Sequence, residues 1–463
     1  MNKYSLSLLA VIFSTASLYP TFSYAEDFYE VVDLGKFEQE STGVFAFDIN
    51  DNQTVVGYST IDPTTGYSRG FSYDSSNLNL TDLGAIDNSE IFVAITNLVD
   101  GVEENETINV GTEDTSSLMF GVNNEGLAVG FSVRISGTVN QVENTDGTIT
   151  ETAIGTANER AIYVDINSLQ LFEVPDFIEG TTENMRATGI NNNYIVGTGL
   201  FDEPDDLDDD GNEIASLFDR GFIYDTYTAV LTKINPIAND LTHHITLRDI
   251  DDTGLAVGIS AEKLGSTVFN KKVVGVDLNA PDNIIEYTIF GTASQDVNAI
   301  NNSRKIVGRA VDTNGTYLTA FLYDIDSVLA TDLGVLNSNF PSSEAFDIND
   351  GDQIVGLSQT KSQPVEFSGF IYENGEMKDL SKMIGCNTGW TINEARSINN
   401  DGFITGIGLL NGEARAFMLK PLSGSAPVCK DEAENIGGSG SPSLISLFSL
   451  ISLFTLRRRL IKK

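Results

Sequence analysis

An all-β, seven-bladed β-propeller built from seven four-stranded repeats is predicted by three features of this sequence. One phrase recurs seven times, each copy sits among four short β-runs, and helical periodicity is absent between them. The phrase is a small or acidic residue, an aliphatic, then Asn or Asp, a polar turn, and aliphatics closing on Gly. Its copies run from Asp48-Ile49-Asn50 to Gly57, Gly121-Val122-Asn123 to Gly130, Gly189-Ile190-Asn191 to Gly197 and Asp249-Ile250-Asp251 to Gly258. Three more run from Ala299-Ile300-Asn301 to Gly308, Asp347-Ile348-Asn349 to Gly356 and Ser397-Ile398-Asn399 to Gly406. A module of this kind buries its apolar face only against its neighbours, so a fixed period implies an array. An open β-solenoid or two packed sandwiches is the competing arrangement of the same strands.

The first repeat shows the four runs in order. Residues 29–35 alternate polar and apolar and stop at Gly35. Residues 45–49 alternate again and end in Asn50-Asp51-Asn52-Gln53, where Asx side chains cap their own backbone. Residues 54–59 follow, then a Pro/Thr/Gly loop, then 69–74. The middle two runs read as a hairpin. Later copies keep the order, with first-type runs at 80–84, 331–334 and 377–380 and fourth-type runs at 160–165, 220–225, 320–324, 369–373 and 415–418. Counted from the run that carries Asp48, the last blade lacks a fourth strand, which residues 29–35 are free to supply. Closing the ring in that way removes two exposed sheet edges.

On these residues the units resemble HAF repeats, an extracellular class whose pattern runs D-L-G, then I-N-x-x-G-x-V-V-G, then H-A-F. The resemblance spans residues 29 to about 421. The His of the last triplet is replaced, as in Arg69-Gly70-Phe71, Arg220-Gly221-Phe222, Ser368-Gly369-Phe370 and Arg415-Ala416-Phe417. No role tied to that His carries over. The resemblance implies the fold and export, and brings no common activity with it.

Both ends carry addresses. Lys3, an apolar stretch from Leu6 to Leu18, and Ser23-Tyr24-Ala25 form a signal peptide over 1–25. The propeller then covers 26–421, a Gly/Ser linker 422–442, and a short hydrophobic helix with a basic tail 443–463. Gly437 and Gly438, the apolar run after Pro442, and Arg457, Arg458 and Arg459 closely resemble a GlyGly-CTERM sorting tail. In that family a rhomboid-type protease, rhombosortase, cleaves the tail and the body passes to the cell surface. The expected partner is therefore a sorting protease, and the expected address is the surface, outer membrane or medium of a Gram-negative bacterium, after transient inner-membrane anchoring. The basic cluster stays cytoplasmic by the positive-inside rule. The apolar run is shorter than the roughly 20 residues of a stable span. A permanent tail anchor is the alternative.

Formal charge is -39, and loss of Lys3 and the five basic residues after Leu456 leaves the body at -45. Such a surface repels nucleic acid and anionic lipid, so contact with membrane is expected only through the tail. The two cysteines, Cys386 and Cys429, fit a disulfide in an exported chain and would staple the end of the body onto the last repeat.

Asp206, Asp208, Asp210, Asn212 and Glu213 form the sharpest local feature. They lie in an insertion between the third and fourth runs of the third repeat, and Asp-x-Asp-x-Asp-Gly is the first half of a calcium loop. The twelfth position is Leu217, so Glu213 or Asp219 would have to complete the shell. Calcium is the one cofactor the sequence points to, against a plain solvated acidic loop. The recurrent turn Asn and Asp residues read as structural. The fourth-run aromatics (Phe71, Tyr73, Phe222, Phe321 and their counterparts) read as core between blades, and Trp390 as packed. Arg69, Arg160, Arg220 and Arg415 are expected to pair with acids, or else to hold an anionic saccharide. His243 and His244 read as surface loop residues. No Gly-x-Ser-x-Gly elbow, His-Glu-x-x-His or phosphate-cradling loop occurs. The expectation is a non-catalytic binding or adhesion module for a surface glycan or protein. A polysaccharide-active enzyme (glycosidase or lyase) and a purely structural envelope protein are the rivals.

Overall fold

A computed structural model describes residues 28–422, apart from 38–42, 62–63, 65, 77–78, 100–101, 113–114, 146–147, 177–181, 208–212, 237–242, 265–266, 292–293 and 313. The signal segment, the sorting residues Gly437, Gly438 and Arg457 to Arg459, and Cys429 lie outside the described residues. Cys386 is disulfide-bonded. Among the described residues no helix is long and apolar enough to cross a membrane.

Seven four-stranded antiparallel sheets make the ring. Strand β1 (Phe28–Asp33) comes first among the described residues. Blade 1 is β2 (Val44–Ile49), β3 (Thr54–Thr60), β4 (Ser68–Asp74) and β5 (Asn79–Asp82). A two-stranded hairpin, β6 (Phe92–Val99) and β7 (Val102–Asn109), precedes blade 2. That blade is β8 (Ser117–Val122), β9 (Leu127–Glu143), β10 (Ile149–Asp165) and β11 (Gln170–Glu173). Blade 3 is β12 (Thr182–Ile190), β13 (Tyr194–Leu207), β14 (Glu213–Asp225) and β15 (Val230–Ile234). Blade 4 is β16 (His243–Ile250), β17 (Leu255–Leu264), β18 (Thr267–Asp277) and β19 (Ile284–Tyr287). Blade 5 is β20 (Gln295–Ile300), β21 (Lys305–Val311), β22 (Leu318–Asp324) and β23 (Leu329–Gly334). Blade 6 is β24 (Ser343–Ile348), β25 (Ile354–Ser362), β26 (Val365–Glu373) and β27 (Glu376–Asp379). Blade 7 is β28 (Trp390–Ile398), β29 (Ile404–Leu410) and β30 (Glu413–Leu422), completed by β1.

The expected closure is therefore present: β1 pairs antiparallel with β30 from Phe28↔Leu422 to Asp33↔Phe417. A hydrophobic core fills every junction between blades. At the closing junction Phe71 and Tyr73 of blade 1 pack with Ala416 and Met418 of blade 7. Phe71, Phe222, Phe321, Phe370 and Phe417 are fully buried, as core residues should be. Trp390 meets Phe417 edge-on at 6.0 Å.

Every inner strand carries a β-bulge at one place, between Ala46 and Asp48 in blade 1 and between Ala395 and Ser397 in blade 7. The same shift occurs in the five blades between them. A bulge sets two residues of one strand against one of its partner and bends the strand. Strict alternation therefore stops there, and both bulged residues, such as Phe47 and Asp48, become half-buried together.

Antiparallel order also gives the ring two different faces. The turn from first to second strand and the turn from third to fourth lie on one face, and all are short. The second-to-third hairpin and the crossing to the next blade lie on the other. All the long additions among the described residues fall there: β6–β7, the 17-residue strands β9 and β10, and the β13–β14 extension. We call these the turn face and the insertion face.

One expectation is corrected. His243 and His244 open inner strand β16 and are not loop residues. His244 is buried, its ring 5.4 Å from Phe218 and its Nδ1 3.0 Å from Asp219 Oδ2. The alternation His244, Thr246, Arg248 against Ile245 and Leu247 already carries strand character, which the polar start of the run disguises.

Candidate functional site

The inner strands line a central channel in stacked rungs, one residue from each blade per rung. Nearest the turn face, the rung Asp51, Asn124, Asn192, Asp252, Asn302, Asp350 and Asn400 is hydrogen-bonded from blade to blade at six of its seven junctions, the exception being Asn124 to Asn192. Asn302, for example, donates through Nδ2 to Asp252 (2.9 Å) and to Asp350 (3.1 Å).

Beneath it lies the rung of repeat Asx residues, and these do two jobs. Each Oδ1 accepts backbone N–H groups of its own turn, as Asn399 does from Asp401 and Phe403. Each Asn Nδ2 also donates to the backbone carbonyl of the equivalent residue in the next blade. Asn50 reaches Asn123, Asn123 reaches Asn191, and Asn191 reaches Asp251, at 2.9 to 3.1 Å. Asn301 reaches Asn349, Asn349 reaches Asn399, and Asn399 returns to Asn50, each at 3.0 Å. The belt has one gap. Asp251 has no N–H to offer Asn301, and its Oδ2 is buried without a hydrogen-bond partner. We expect Asp251→Asn to close the belt, since Oδ1 would keep its bonds and an unsatisfied acceptor would become a donor. A gain of about 1–3 kcal/mol, read as a higher denaturant midpoint, is the expected outcome. An unchanged or lower midpoint would show that the gap is not strained.

Past an aliphatic rung (Ile49, Val122, Ile190, Ile250, Ile300, Ile348, Ile398) the cavity ends at three carboxyls, Asp48, Asp249 and Asp347. The other blades have Gly121, Gly189, Ala299 and Ser397 at this level. Each Asp accepts the N–H of its own aliphatic neighbour and that of the next blade: Asp48 from Ile49 and Val122, Asp249 from Ile250 and Ile300, Asp347 from Ile348 and Ile398. Burial pushes Asp48 up to about 6, with the Asp347 charge adding to it, and pushes Asp249 up to about 8. Burial raises Asp347 as well. Ser397 Oγ lies 2.7 Å from both Asp48 Oδ1 and Asp347 Oδ2. One hydroxyl has one proton, so serving both carboxyls requires that one of them be protonated.

Towards the insertion face the next rung is Phe47, Phe120, Thr188, Arg248, Asn298, Phe346 and Arg396, all half-buried. Phe47 and Phe120 meet edge-on at 5.4 Å, and the Arg396 guanidinium lies over Phe346 (4.2 Å) and Phe47 (5.6 Å). Phe45 and Tyr58 stack at 4.9 Å behind them. Blades 6, 7, 1 and 2 thus make an aromatic wall. The opposite side is charged, with Arg186 on Glu159 and Arg309 bridging Asp296 and Glu344.

The residues singled out from sequence lie elsewhere. Asp206 is in β13 and Glu213 in β14, whose ladder continues to Leu207↔Glu213. Asp208, Asp210 and Asn212 lie outside the described residues. Residues 208–212 separate the two strands. Asp219 pairs with Leu200, roughly 20 Å along the strand from Glu213. Among the described residues no cluster of three His, Cys, Asp or Glu is placed to hold a metal ion. Arg160 pairs with Asp176 at 2.6 Å and Arg415 with Glu413 at 3.0 Å. Arg220 is fully buried and donates to the carbonyl of His243 at 2.7 Å. Three of the four fourth-run arginines are thus structural. The channel rungs were not among the expected sites. Their one sequence signal is the variable position before each repeat aliphatic, which reads Asp, Gly, Gly, Asp, Ala, Asp, Ser around the ring.

Among solved structures the chain is similar to an oligogalacturonate lyase in complex with manganese, with 11% identity over 84% of this chain and 93% of that one, TM-score 0.45. It is also similar to Porphyromonas gingivalis dipeptidyl peptidase 4, with 10% identity, TM-score 0.36 and 71% of this chain covered; it spans about half, 51%, of that protein. Trypanosoma rangeli sialidase in complex with 2,3-difluorosialic acid matches at 9% identity over 85% of this chain and 58% of that one, TM-score 0.34. Likeness at this level concerns the fold and carries nothing about activity. No curated protein matches the sequence. A family model described as "Protein of unknown function (DUF3466)" matches residues 186–418, from the inner strand of blade 3 to the third strand of blade 7. That match covers half of the sequence, and the chain belongs to the DUF3466 family.

Proposed function

We propose that this is an exported, cell-surface propeller that acts as a non-catalytic binding module through its insertion face. The observation that supports this most is the asymmetry of the ring. The turn face is tied up in its own hydrogen bonds, whereas the long hairpins rise on the opposite face, around the end of the channel that bears the aromatic wall. A rigid scaffold carrying variable connections at one end suits recognition. The HAF-type repeats, the signal ending at Ala25 and the GlyGly-CTERM-like tail at Gly437 and Gly438 supply the export route, with a sorting protease as partner. The acidic tip around Asp208 and Asp210 adds calcium as a candidate stabiliser of one hairpin on that face.

A polysaccharide-active enzyme is the second reading, and the channel carboxyls are what favour it. Asp48, Asp249 and Asp347 each hold two backbone N–H groups, however, and that bonding commits them to joining blades rather than to proton transfer. The experiment is retention of the mature protein on an array of acidic and neutral glycans, in millimolar calcium and in chelator, with bound sugar recovered and sized. We expect intact sugar, retained less well in chelator. Shortened or unsaturated sugar would make the protein an enzyme, and no retention on any glycan would remove the glycan-binding reading.

A further inference from the structure

Arg248 stands apart from every other charged group in the channel. Its rung neighbours are satisfied: Thr188 Oγ1 donates to the Leu247 carbonyl at 3.0 Å, and Asn298 Nδ2 to the Ala345 carbonyl at 2.7 Å. The surrounding cations are paired too, Arg186 with Glu159, Arg309 with Asp296 and Glu344, Lys271 with Asp296, and Arg396 with Glu394. Arg248 has no ion pair or hydrogen bond among the described residues, and its Nε is buried without a partner. Burial pulls its pKa down, against the attraction of Asp296 and Glu344. Leaving a half-buried guanidinium unpaired, with its Nε shut away from water, is costly, and a protein keeps such a group where something else completes it.

We propose that the insertion-face end of the channel binds a ring-bearing carboxylate, with Arg248 holding the carboxylate and the wall of Phe47, Phe120 and Phe346 receiving the ring. The inference rests on the binding-module reading and names the chemistry of its site. A guanidinium presents two parallel N–H donors that match the two oxygens of one carboxylate. Arg309 and Lys271 pair with Asp296 and Glu344, so these two carboxylates are already engaged and the Arg248 fork is left to meet a ligand, with Asp219 attracting it from further off. On the other side the half-buried rings, two of them capped on one side by the Arg396 guanidinium, offer an apolar surface that suits either an aromatic ring or the apolar face of a sugar. An aromatic acid and a uronic acid share this chemistry, and the test separates them.

The test is titration of the mature protein with benzoate, D-glucuronate and the uncharged methyl glucoside, followed by ligand-observed NMR, for wild type, Arg248→Gln and Arg248→Lys. We expect one of the two acids to bind and the glucoside not to. Arg248→Gln should weaken the bound acid at least tenfold, and Arg248→Lys, which keeps the charge and loses the fork, should fall between. The unfolding midpoint without ligand is the second readout. A group that awaits a ligand leaves it unchanged or raises it when replaced by Gln, whereas a structural arginine lowers it. Binding of neither acid, equal binding by wild type and Arg248→Gln, or a lower midpoint for Arg248→Gln would each overturn the proposal. Glycan retention that is insensitive to Arg248→Gln would sink this site and leave the binding module standing. Acid binding at Arg248 with no glycan retained would do the reverse for glycans.

Discussion

Gly308→Ala is expected to leave the protein unfolded or insoluble. A Cβ at Gly308 would lie 2.0 Å from the Asp296 carbonyl oxygen and 2.9 Å from Val297 Cα. These are backbone atoms of the neighbouring inner strand, so no rotamer change can make room. The cause is the bulge, which bends the inner strand over the second strand at that point. The same contact recurs at Gly57, Gly130, Gly197, Gly258, Gly356 and Gly406, between 1.8 and 2.1 Å. The glycine that closes every repeat is thus a requirement of close approach rather than of a turn. A loss above about 4 kcal/mol is expected, a large share of the roughly 5–15 kcal/mol that a folded domain commands. Gly315→Ala is the control. Gly315 has φ +73° and open space around it, so Ala there costs only about 1 kcal/mol. Soluble yield and denaturant midpoints decide the matter, and a Gly308→Ala protein as stable as the Gly315→Ala control would refute the close approach.

The second large effect is on pH. Asp48, Asp249 and Asp347 hold their protons more tightly folded than unfolded, so their contribution to stability falls as pH rises. It is fully present below the ordinary value of 3.8 and is lost as pH climbs through about 6 for Asp48 and about 8 for Asp249. Each unit of difference is worth about 1.4 kcal/mol, so the shift of Asp48 alone is worth roughly 3 kcal/mol. Carboxyls that turn hydrogen bonds hold low, such as Asp165 with Ser168 and Asp324 with Ser327, act in the opposite direction but only in acid. The thermal midpoint should therefore rise as pH is lowered from about 8.5 to 5. Self-repulsion of the acidic body adds to that trend, so the comparison is with Asp249→Asn. That variant should lose the upper part of the slope, whatever its absolute midpoint after disturbing the Ile250 and Ile300 bonds. Parallel slopes for the two proteins would remove Asp249 as the titrating group.

Local features of the sequence carried most of the architecture. Alternation at 45–49 and 69–74, Asx turns such as Asn399 to Gly402, and the missing fourth strand of the last blade led to seven blades closed by β1 on β30. Those features succeed because a blade is built from hairpins, whose partners are neighbours in the chain. His243 and His244 show the limit, since two polar residues at the start of β16 hid a strand. The acidic insertion shows another. Asp206 and Glu213 read as parts of a loop, and the backbone ladder extends to both, because a hairpin lengthens by pairing whatever residues it is given.

The sequence alone determined the repeat, its strand order, the way the ring closes and the charge of the body, all of which follow from short-range periodicity and composition. Only the tertiary structure decided which residues face one another across the axis. Asn50 and Asn123, or Asp48 and Asp347, are brought together by ring closure and not by proximity in the chain. The Asn belt, its gap at Asp251, the Ser397 hydroxyl between Asp48 and Asp347 and the unpaired Arg248 are therefore properties of seven blades at once. No single repeat, read by itself, distinguishes a latch from a turn or a free guanidinium from a paired one.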